Sequence, residues 1–169
     1  MSNSIDKKQK RFKKVDFEHK DLKMGDDGEK ICLKYLNTLY QNEVSKYKDF
    51  FHPFDFYKVD DDGNTDMIFE LKTRRCDINQ YPSLCFGKSK IDFALEKRKK
   101  NPNLRIMFLW LLKDKQFYCW EYGDEKTDEF YYGEIANYKR NQKPSQAIFI
   151  KTEYIEQLPI IDYHKILSA

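Results

Sequence analysis

Alternating apolar and polar residues predict a β-hairpin in the first half of the chain. Residues 54–59 and 65–73 follow a period of two, which is the side-chain repeat of a strand. Asp62-Gly63 between them is a favoured two-residue hairpin loop. Both faces of the hairpin carry large apolar residues, so we expect the sheet to be covered on both sides. This pattern is typical of an α/β fold.

Helical spacing of apolar residues predicts one helix before the hairpin and one after it. In residues 29–41 the apolar positions recur every three or four residues, and Asp26 would cap the start of this helix. Ser89 would cap a second, strongly basic helix that runs to Lys100.

The remaining half of the chain predicts mostly strands. A buried strand is expected at 104–112, an alternating strand at 116–122, and a last strand at 146–150, before a short helix at 152–158. No element is predicted for two segments, the turn-rich connection 74–87 and the polar stretch 123–145.

The order of these elements indicates a single α/β domain over residues 24–169, with a central mixed β-sheet flanked by helices. A chain of 169 residues is long enough to bury one sound core. Residues 1–23 are polar and basic and lack any apolar period, so we predict a flexible arm there. Such an arm could equally bind nucleic acid, increase solubility or direct localisation.

The distribution of charge suggests a polyanionic partner. The chain has 31 basic and 28 acidic residues, for a formal net charge of +3. Basic residues concentrate at 7–14 and 88–100, whereas acidic residues concentrate at 60–66 and 121–129. Basic flanks around an acidic centre suit a polyanion bound beside a cation site.

The cysteines and the absence of long apolar segments predict an intracellular protein, in the cytoplasm or the nucleus or nucleoid, that is not secreted. No apolar run reaches the ~18 residues of a transmembrane helix, and no signal peptide is evident, so no membrane partner is expected. The cysteines lack zinc-ligand spacing and are predicted to be reduced thiols. They are Cys32, Cys76, Cys85 and Cys119.

The candidate chemistry lies on the predicted hairpin. A two-residue loop places Asp55 directly opposite Glu70, and strand alternation puts Lys72 on the same face. Like charges directly opposite one another destabilise a sheet, unless a divalent cation lies between them. The pattern therefore predicts a site for a divalent cation, such as Mg²⁺ or Mn²⁺, with an ammonium group beside it.

With Glu29 on the first helix, Asp55 on one strand and Glu70-x-Lys72 on the next, followed by a basic helix, the chain resembles the PD-(D/E)xK nuclease superfamily. The resemblance covers roughly residues 25–122 and is strongest to resolvase-like or phage-type members. It implies a restriction-endonuclease-like core and Mg²⁺-dependent cleavage of phosphodiester bonds.

The resemblance also implies a role for each of these residues. Asp55 and Glu70 would bind Mg²⁺, Glu29 would complete the metal shell, and Lys72 would assist the attacking water and the charged transition state. The chain departs from the family at Pro53. One residue lies between Pro53 and Asp55, whereas Pro and Asp are adjacent in the family motif.

Basic residues beyond the motif are predicted to hold the nucleic-acid backbone. Such phosphate contacts are independent of sequence and sensitive to salt. DNA is favoured over RNA by analogy with similar folds. The predicted nucleic-acid-binding residues are Arg74, Arg75, Lys88, Lys90 and Lys97.

Each site residue also has a purely structural alternative. Glu29 could serve only as a helix-capping residue, while Glu70 and Lys72 could be exposed on an edge strand. Asp66 competes with Asp55 as a metal ligand, because it lies on the same predicted face.

The predicted function is that of a metal-dependent DNA endonuclease, and three alternatives remain open. A Holliday-junction or structure-selective resolvase would require a symmetric homodimer, since two nicks need two sites. A non-catalytic nucleic-acid-binding protein on the same fold would need no metal. An RNA-cleaving enzyme of the same kind would differ only in substrate.

Overall fold

A mixed β-sheet of six strands forms the centre of the protein, and a three-stranded antiparallel sheet packs on one of its faces. The computed structural model describes residues 24–136 and 143–168, so the predicted arm at 1–23 lies outside the described residues. The helices are α1 at residues 24–39, α2 at Lys88–Lys100 and α3 at Tyr163–Ser168. The strands are β1 at Val44–Lys46, β2 at Phe56–Val59, β3 at Thr65–Thr73, β4 at Ser83–Gly87, β5 at Arg105–Leu111, β6 at Phe117–Glu121, β7 at Phe130–Ile135, β8 at Ser145–Lys151 and β9 at Glu156–Gln157.

Strand β3 is central in the large sheet, whose order is β1-β2-β3-β5-β6-β9. It pairs antiparallel with β2 and parallel with β5, and α2 lies in the connection between β3 and β5. The small sheet has the order β4-β8-β7. The prediction of an α/β fold with a central mixed sheet is confirmed.

The large sheet is covered on both faces, as its apolar pattern predicted. One face packs against α2 and the small sheet, and its core includes Ile68, Phe108 and Trp110. The other face packs against α1 and α3, and its core includes Phe69 and Leu109. Adjacent residues of β3 and β5 thus serve opposite cores, as expected of strands buried on both sides.

The turn between β2 and β3 differs from the predicted two-residue Asp62-Gly63 loop, which is wrong. The Asp60 N–H donates to the Asn64 carbonyl at 2.8 Å, which leaves three residues in the loop. The Gly63 N–H donates to the Asp60 carbonyl at 3.0 Å, and Gly63 has a φ of +82°. This is a type I turn followed by a left-handed residue, for which glycine is favoured.

A β-bulge next to the turn restores the predicted register. Val59 pairs with Thr65, whereas Lys58 pairs with Met67, so Asp66 is an extra residue in β3. Asp66 binds the Lys58 ammonium at 2.9 Å and does not line the cavity of Glu29 and Asp55, which together with Glu70 we call the acid cluster. The odd-length loop and the bulge cancel, so residues 56–58 pair with residues 67–69 in the predicted register.

The predicted start of the first hairpin strand at residue 54 is wrong, because β2 begins at Phe56. Phe54 packs on the α2 face and Phe56 on the α1 face, whereas strand alternation predicted one face for both. The chain bends between them, and the Asp55 N–H donates to the Phe69 carbonyl at 3.0 Å. Asp55 therefore does not pair with Glu70 in the sheet, contrary to the prediction.

Other predictions of secondary structure were partly correct. Strands β5, β6 and β8 confirm the predicted strands to within one or two residues. Residue 24 is already helical, so Asp26 lies inside α1 and does not cap its start as predicted. The N-cap residue of α2 is Gly87, which makes no side-chain capping bond, so the predicted cap at Ser89 is wrong. Strands β4 and β7 occupy segments without a predicted element, and a 3₁₀ turn with β9 replaces the helix predicted at 152–158.

Helix α1 is fixed close to the end of β3 by two local features. A Cβ atom on Gly28 would lie only 2.4 Å from Thr73 Oγ1, so glycine permits this close approach. The Asn37 side chain pairs with both backbone groups of Val44, at 3.0 and 2.9 Å, and ties α1 to β1. Together these contacts position Glu29 beside the hairpin.

The described residues include all four cysteines and three helices, which bear on the predictions of free thiols and of no membrane-spanning segment. The four cysteines are all free, and all but Cys85 are buried. Among residues 24–136 and 143–168, none of the helices combines the length and apolar character needed to cross a bilayer.

Candidate functional site

The residues of the predicted motif come together at the C-terminal end of β3. Glu29, Asp55 and Lys72 line one cavity of about 490 Å³, and Glu70 is bound to Lys72. The other residues that line this cavity are Met24, Gly25, Leu71, Thr73, Arg74 and Arg75.

Glu70 is a buried carboxylate that two lysines neutralise. It is only 1% exposed, on the central strand, which excludes the alternative of an exposed edge-strand residue. Its Oε1 accepts a hydrogen bond from Lys72 Nζ at 2.8 Å and forms an ion pair with Lys90 Nζ at 2.9 Å. Its Oε2 is buried and has no hydrogen-bond partner among the described residues. A buried carboxylate oxygen without a partner is costly, so Oε2 is an available acceptor for a ligand.

Asp55 lies beside Glu70 through side-chain geometry instead of strand pairing. Its Oδ2 accepts a hydrogen bond from the Leu71 N–H at 2.8 Å. Burial, and then repulsion from the Glu70 carboxylate, raise the pKa of Asp55 to about 6, while the Leu71 N–H and the nearby lysines oppose the rise. The hydrogen bond to Leu71 places the Asp55 carboxyl next to the residue that follows Glu70, although Asp55 and Glu70 do not pair in the sheet.

Lys90 holds the two acidic segments together. Its ammonium binds Glu70 Oε1 and also donates to the carbonyl of Pro53, two residues before Asp55. The sequence predicted a phosphate contact for this lysine, whereas the structure places it against Glu70. A signal was present, because Lys90 lies four residues before the fully buried Ala94 and therefore on the inner stripe of α2.

Glu29 faces the cavity and forms an ion pair with Lys46 of β1. The hydrogen bond from Lys46 to this carboxylate raises the pKa of the lysine. Glu29 lies in the second turn of α1 rather than at its first residue, so helix capping does not explain its position. The contact with Lys46 was not predictable, because β1 itself was not predicted.

The predicted nucleic-acid-binding residues are divided between different parts of the protein. Arg74 and Arg75 line the cavity at the end of β3. Lys88 forms an i,i+4 ion pair with Asp92 on the surface of α2. Lys97 lies in a different cavity, with its ammonium 5.3 Å from the centre of the Phe93 ring.

Thr73 is a residue of the site that sequence reasoning missed. Its Oγ1 is buried without a hydrogen-bond partner among the described residues, and the residue lines the same cavity as Asp55. No sequence signal marks it, because the environment of the hydroxyl depends on the close approach of Gly28 from α1. A second polar atom is thus available for a ligand at this end of β3.

The side chains present are compatible with Mg²⁺ bound together with a substrate. Among the described residues, there is no group of three or more His, Cys, Asp or Glu that could hold a metal ion alone. Asp55 and Glu70 nevertheless provide two neighbouring carboxylates, one with a partnerless oxygen. Mg²⁺ is usually bound by one or two carboxylates, with waters and substrate phosphates as its other ligands.

No protein-family model matches the chain, and no curated protein or solved structure is significantly similar to it. Its function must therefore be inferred from its own residues.

Proposed function

We propose that this protein is a Mg²⁺-dependent nuclease of the PD-(D/E)xK kind that hydrolyses phosphodiester bonds in DNA. The observation that carries the proposal is the buried Glu70, one oxygen of which has no partner among the described residues, next to an Asp55 whose pKa is raised by burial and then by the Glu70 charge. Two carboxyls with adjacent ammonium groups are poorly explained by stability alone, because a buried ion pair adds little net stabilisation.

Each residue has a role that its position supports. Asp55 and Glu70 would hold the metal, and Glu29, from the other side of the cavity, would support the metal or its waters. Bound Mg²⁺ would neutralise the phosphate and allow a water to be activated near neutral pH. Lys72, fixed by its 2.8 Å bond to Glu70 and partly exposed, would add positive charge where the transition state gains negative charge.

The protonation state of Asp55 gives the site a pH dependence. With a pKa of about 6, the carboxyl group is protonated in acid and ionised at neutral pH. A proton on Asp55 competes with a metal cation for the same oxygens. We therefore expect metal binding and cleavage to fall as the pH drops below about 6.

The surroundings of the site suit a nucleic-acid substrate. Arg74 and Arg75 line the cavity next to Asp55 and are exposed to solvent, so they place positive charge beside the proposed metal site, where a phosphate group would lie. The order of helix, hairpin, basic helix and parallel strand around a mixed sheet is also consistent with the family resemblance. The preference for DNA over RNA is by analogy.

A cleavage assay tests the proposal. Fluorescently labelled DNA is incubated with the purified chain in Mg²⁺ or in EDTA, and labelled RNA is run in parallel. We expect cleavage of DNA only with Mg²⁺ or Mn²⁺, and a loss of at least about a hundredfold in Glu70→Gln and in Lys72→Ala. Lys99→Gln is the matched control, because Lys99 pairs with Glu96 on the exposed side of α2.

Circular dichroism and thermal melting must show that the variants remain folded. Cleavage that persists in EDTA or in Glu70→Gln would contradict the proposal. DNA binding without cleavage would favour the non-catalytic alternative, and preferential cleavage of RNA would change the substrate. A junction resolvase would elute as a dimer on size-exclusion chromatography, so a monomer would contradict that alternative.

A further inference from the structure

The end of β3 opposite the acid cluster carries a second cavity, of about 370 Å³, between α2 and the β2–β3 hairpin. Three aromatic rings form much of its wall. The Tyr47 and His52 rings are stacked with centroids 3.4 Å apart, and His52 meets Phe93 edge to face at 5.2 Å. Aromatic walls around an open cavity suit a flat, unsaturated ligand group.

Two lysines of α2, Lys97 and Lys100, line this cavity. Neither has a carboxylate within ion-pair distance among the described residues, whereas every other basic residue of α2 has one. Their ammonium groups are therefore available to an anionic ligand. The other pairs on this helix are Lys88 with Asp92, Lys90 with Glu70, Arg98 with Asp124 and Lys99 with Glu96.

The loop that provides Tyr47 and His52 also exposes two further aromatic rings. Phe50 is 92% exposed and Phe51 is 87% exposed, with ring centroids 5.4 Å apart. The loop is ordered locally, because Asp49 accepts hydrogen bonds from the N–H groups of Phe51 and His52, at 2.9 and 3.1 Å. Adjacent, almost fully exposed phenylalanines on an ordered loop mark an interaction surface.

We infer that these residues form a binding surface for a single-stranded nucleic acid. We call it the hairpin-end surface and define it as Tyr47, Phe50, Phe51, His52, Lys97 and Lys100. Proteins that bind single strands combine aromatic rings, on which bases stack, with basic groups that hold the phosphates. An acidic protein segment would use the lysines, but it would not need a series of exposed aromatic rings.

The geometry connects this surface to the acid cluster. Lys90 and Lys97 are seven residues apart, so they lie on the same side of α2 with about 10 Å between them along the helix axis. On the other side, the Phe54 N–H donates to His52 Nδ1 at 3.1 Å, one residue before Asp55. A single-stranded nucleic acid bound at the hairpin-end surface would therefore extend towards Glu70. This last step rests on the proposed nuclease function and implies a substrate with unpaired bases beside the cleaved bond.

Fluorescence anisotropy on the full chain in EDTA tests the inference without any cleavage. The probes are a short labelled oligothymidylate and an abasic oligomer of equal length. Phe50→Ser/Phe51→Ser should weaken binding of the oligothymidylate by roughly five- to a hundredfold, because stacking contributes on the order of 1–3 kcal/mol per base. Binding of the abasic oligomer should not change.

The charged residues are tested in the same way. Lys97→Gln/Lys100→Gln should weaken binding of both probes and lower the slope of log affinity against log salt by about 1.4, for two lost phosphate contacts. Lys99→Gln/Lys113→Gln removes the same charge elsewhere and should leave binding unchanged. Thermal melting confirms that all variants are folded.

Three results would overturn the inference. They are equal affinity for the oligothymidylate and the abasic oligomer, equal competition by polyglutamate, and an equal loss of binding in the Lys99→Gln/Lys113→Gln control. A parallel cleavage assay with the unaltered chain and Glu70→Gln separates this inference from the proposed function. Base-dependent binding without any Mg²⁺-dependent cleavage supports the surface and contradicts the nuclease, whereas cleavage without base-dependent binding does the reverse.

Discussion

The two ends of β3 present opposite kinds of surface. At the C-terminal end the acidic groups are enclosed and partnered: Glu70 by Lys72 and Lys90, and Asp55 by the Leu71 N–H. At the N-terminal end Lys97 and Lys100 lack acidic partners among the described residues, and the rings of Phe50 and Phe51 are exposed. A fixed cluster of charges suits a small, highly charged ligand, whereas an open aromatic and basic surface suits an extended, flexible one.

The two ends should also differ in their contribution to stability. Burying Glu70 costs desolvation that only its two lysines offset, so a change there leaves an uncompensated charge. Lys97 and Phe50 are exposed, and exposed residues usually contribute little to the free energy of unfolding. Substitutions therefore distinguish a site that is coupled to the core from a surface that is not.

The largest effect is expected for Glu70→Ala. It leaves the ammonium groups of Lys72 and Lys90 partly buried without a counter-charge, and we expect a loss of about 4 kcal/mol in the free energy of unfolding. Urea denaturation measures this loss. Lys97→Ala, at the other end of β3, should change the free energy by less than about 0.5 kcal/mol. Equal losses in the two variants would show that Glu70 is not coupled to the core as described.

The pH dependence of stability should come from the acidic end. The pKa of Asp55 is about 6 in the folded protein and 3.8 in the unfolded chain, so the folded state binds the proton more tightly. Stability therefore decreases as the pH rises from about 4 to about 6, by on the order of 3 kcal/mol for this group. Urea denaturation at pH 4 and pH 7 should show this decrease.

Two variants separate the contribution of Asp55 from that of other groups. Asp55→Asn should remove the decrease, because an amide does not titrate in this range. Lys97→Gln/Lys100→Gln should keep it. A decrease that remains unchanged in Asp55→Asn would mean that another group is responsible.

Lys90→Met should have an intermediate effect. The change removes one of the two ammonium groups on Glu70 and the bond to the Pro53 carbonyl, so we expect a loss of about 2 kcal/mol. The matched control is Lys99→Met on the exposed side of the same helix, where the pair with Glu96 contributes less than about 0.5 kcal/mol. If both variants were equally stable, Lys90 would not hold the two acidic segments together.

A smaller effect than for Lys90→Met is expected for Asn101→Ala at the hairpin end. Asn101 Nδ2 donates to the Thr65 carbonyl at 2.7 Å and links the end of α2 to β3. Losing one partly buried hydrogen bond should cost about 1 kcal/mol, without changing the pH dependence attributed to Asp55. A loss as large as that of Glu70→Ala would mean that the hairpin end, too, is coupled to the core.

The sequence predicted the elements whose apolar repeats are long and regular. These include the strands β3 and β5, which are buried on both faces, and the helix α2, whose few apolar residues recur along one side. It did not predict β4, which is short and pairs with β8 far along the chain, or β7, which has no buried residue and so no apolar alternation. Pairing of this kind depends on the tertiary fold and leaves little local signal.

The candidate site was predicted in composition but not in geometry. The register of β2 against β3 was correct only because a three-residue loop and a bulge cancel. The loop geometry depends on the Asp60 side chain, which accepts hydrogen bonds from the N–H groups of Asp62 and Asn64 at 3.0 and 2.8 Å. Neither this turn nor the bend at Asp55 could be read from alternation, which assumes an uninterrupted strand.

The most direct test of the proposed metal site is a crystal of the protein soaked in Mn²⁺, with anomalous scattering recorded to locate the ion. We expect one strong peak between Asp55 and Glu70, about 2.1 Å from an oxygen of each, with Oε2 as the Glu70 ligand. A crystal that binds Mn²⁺ only elsewhere, or in which the two carboxylates contact no ion, would contradict the proposal that they share a metal.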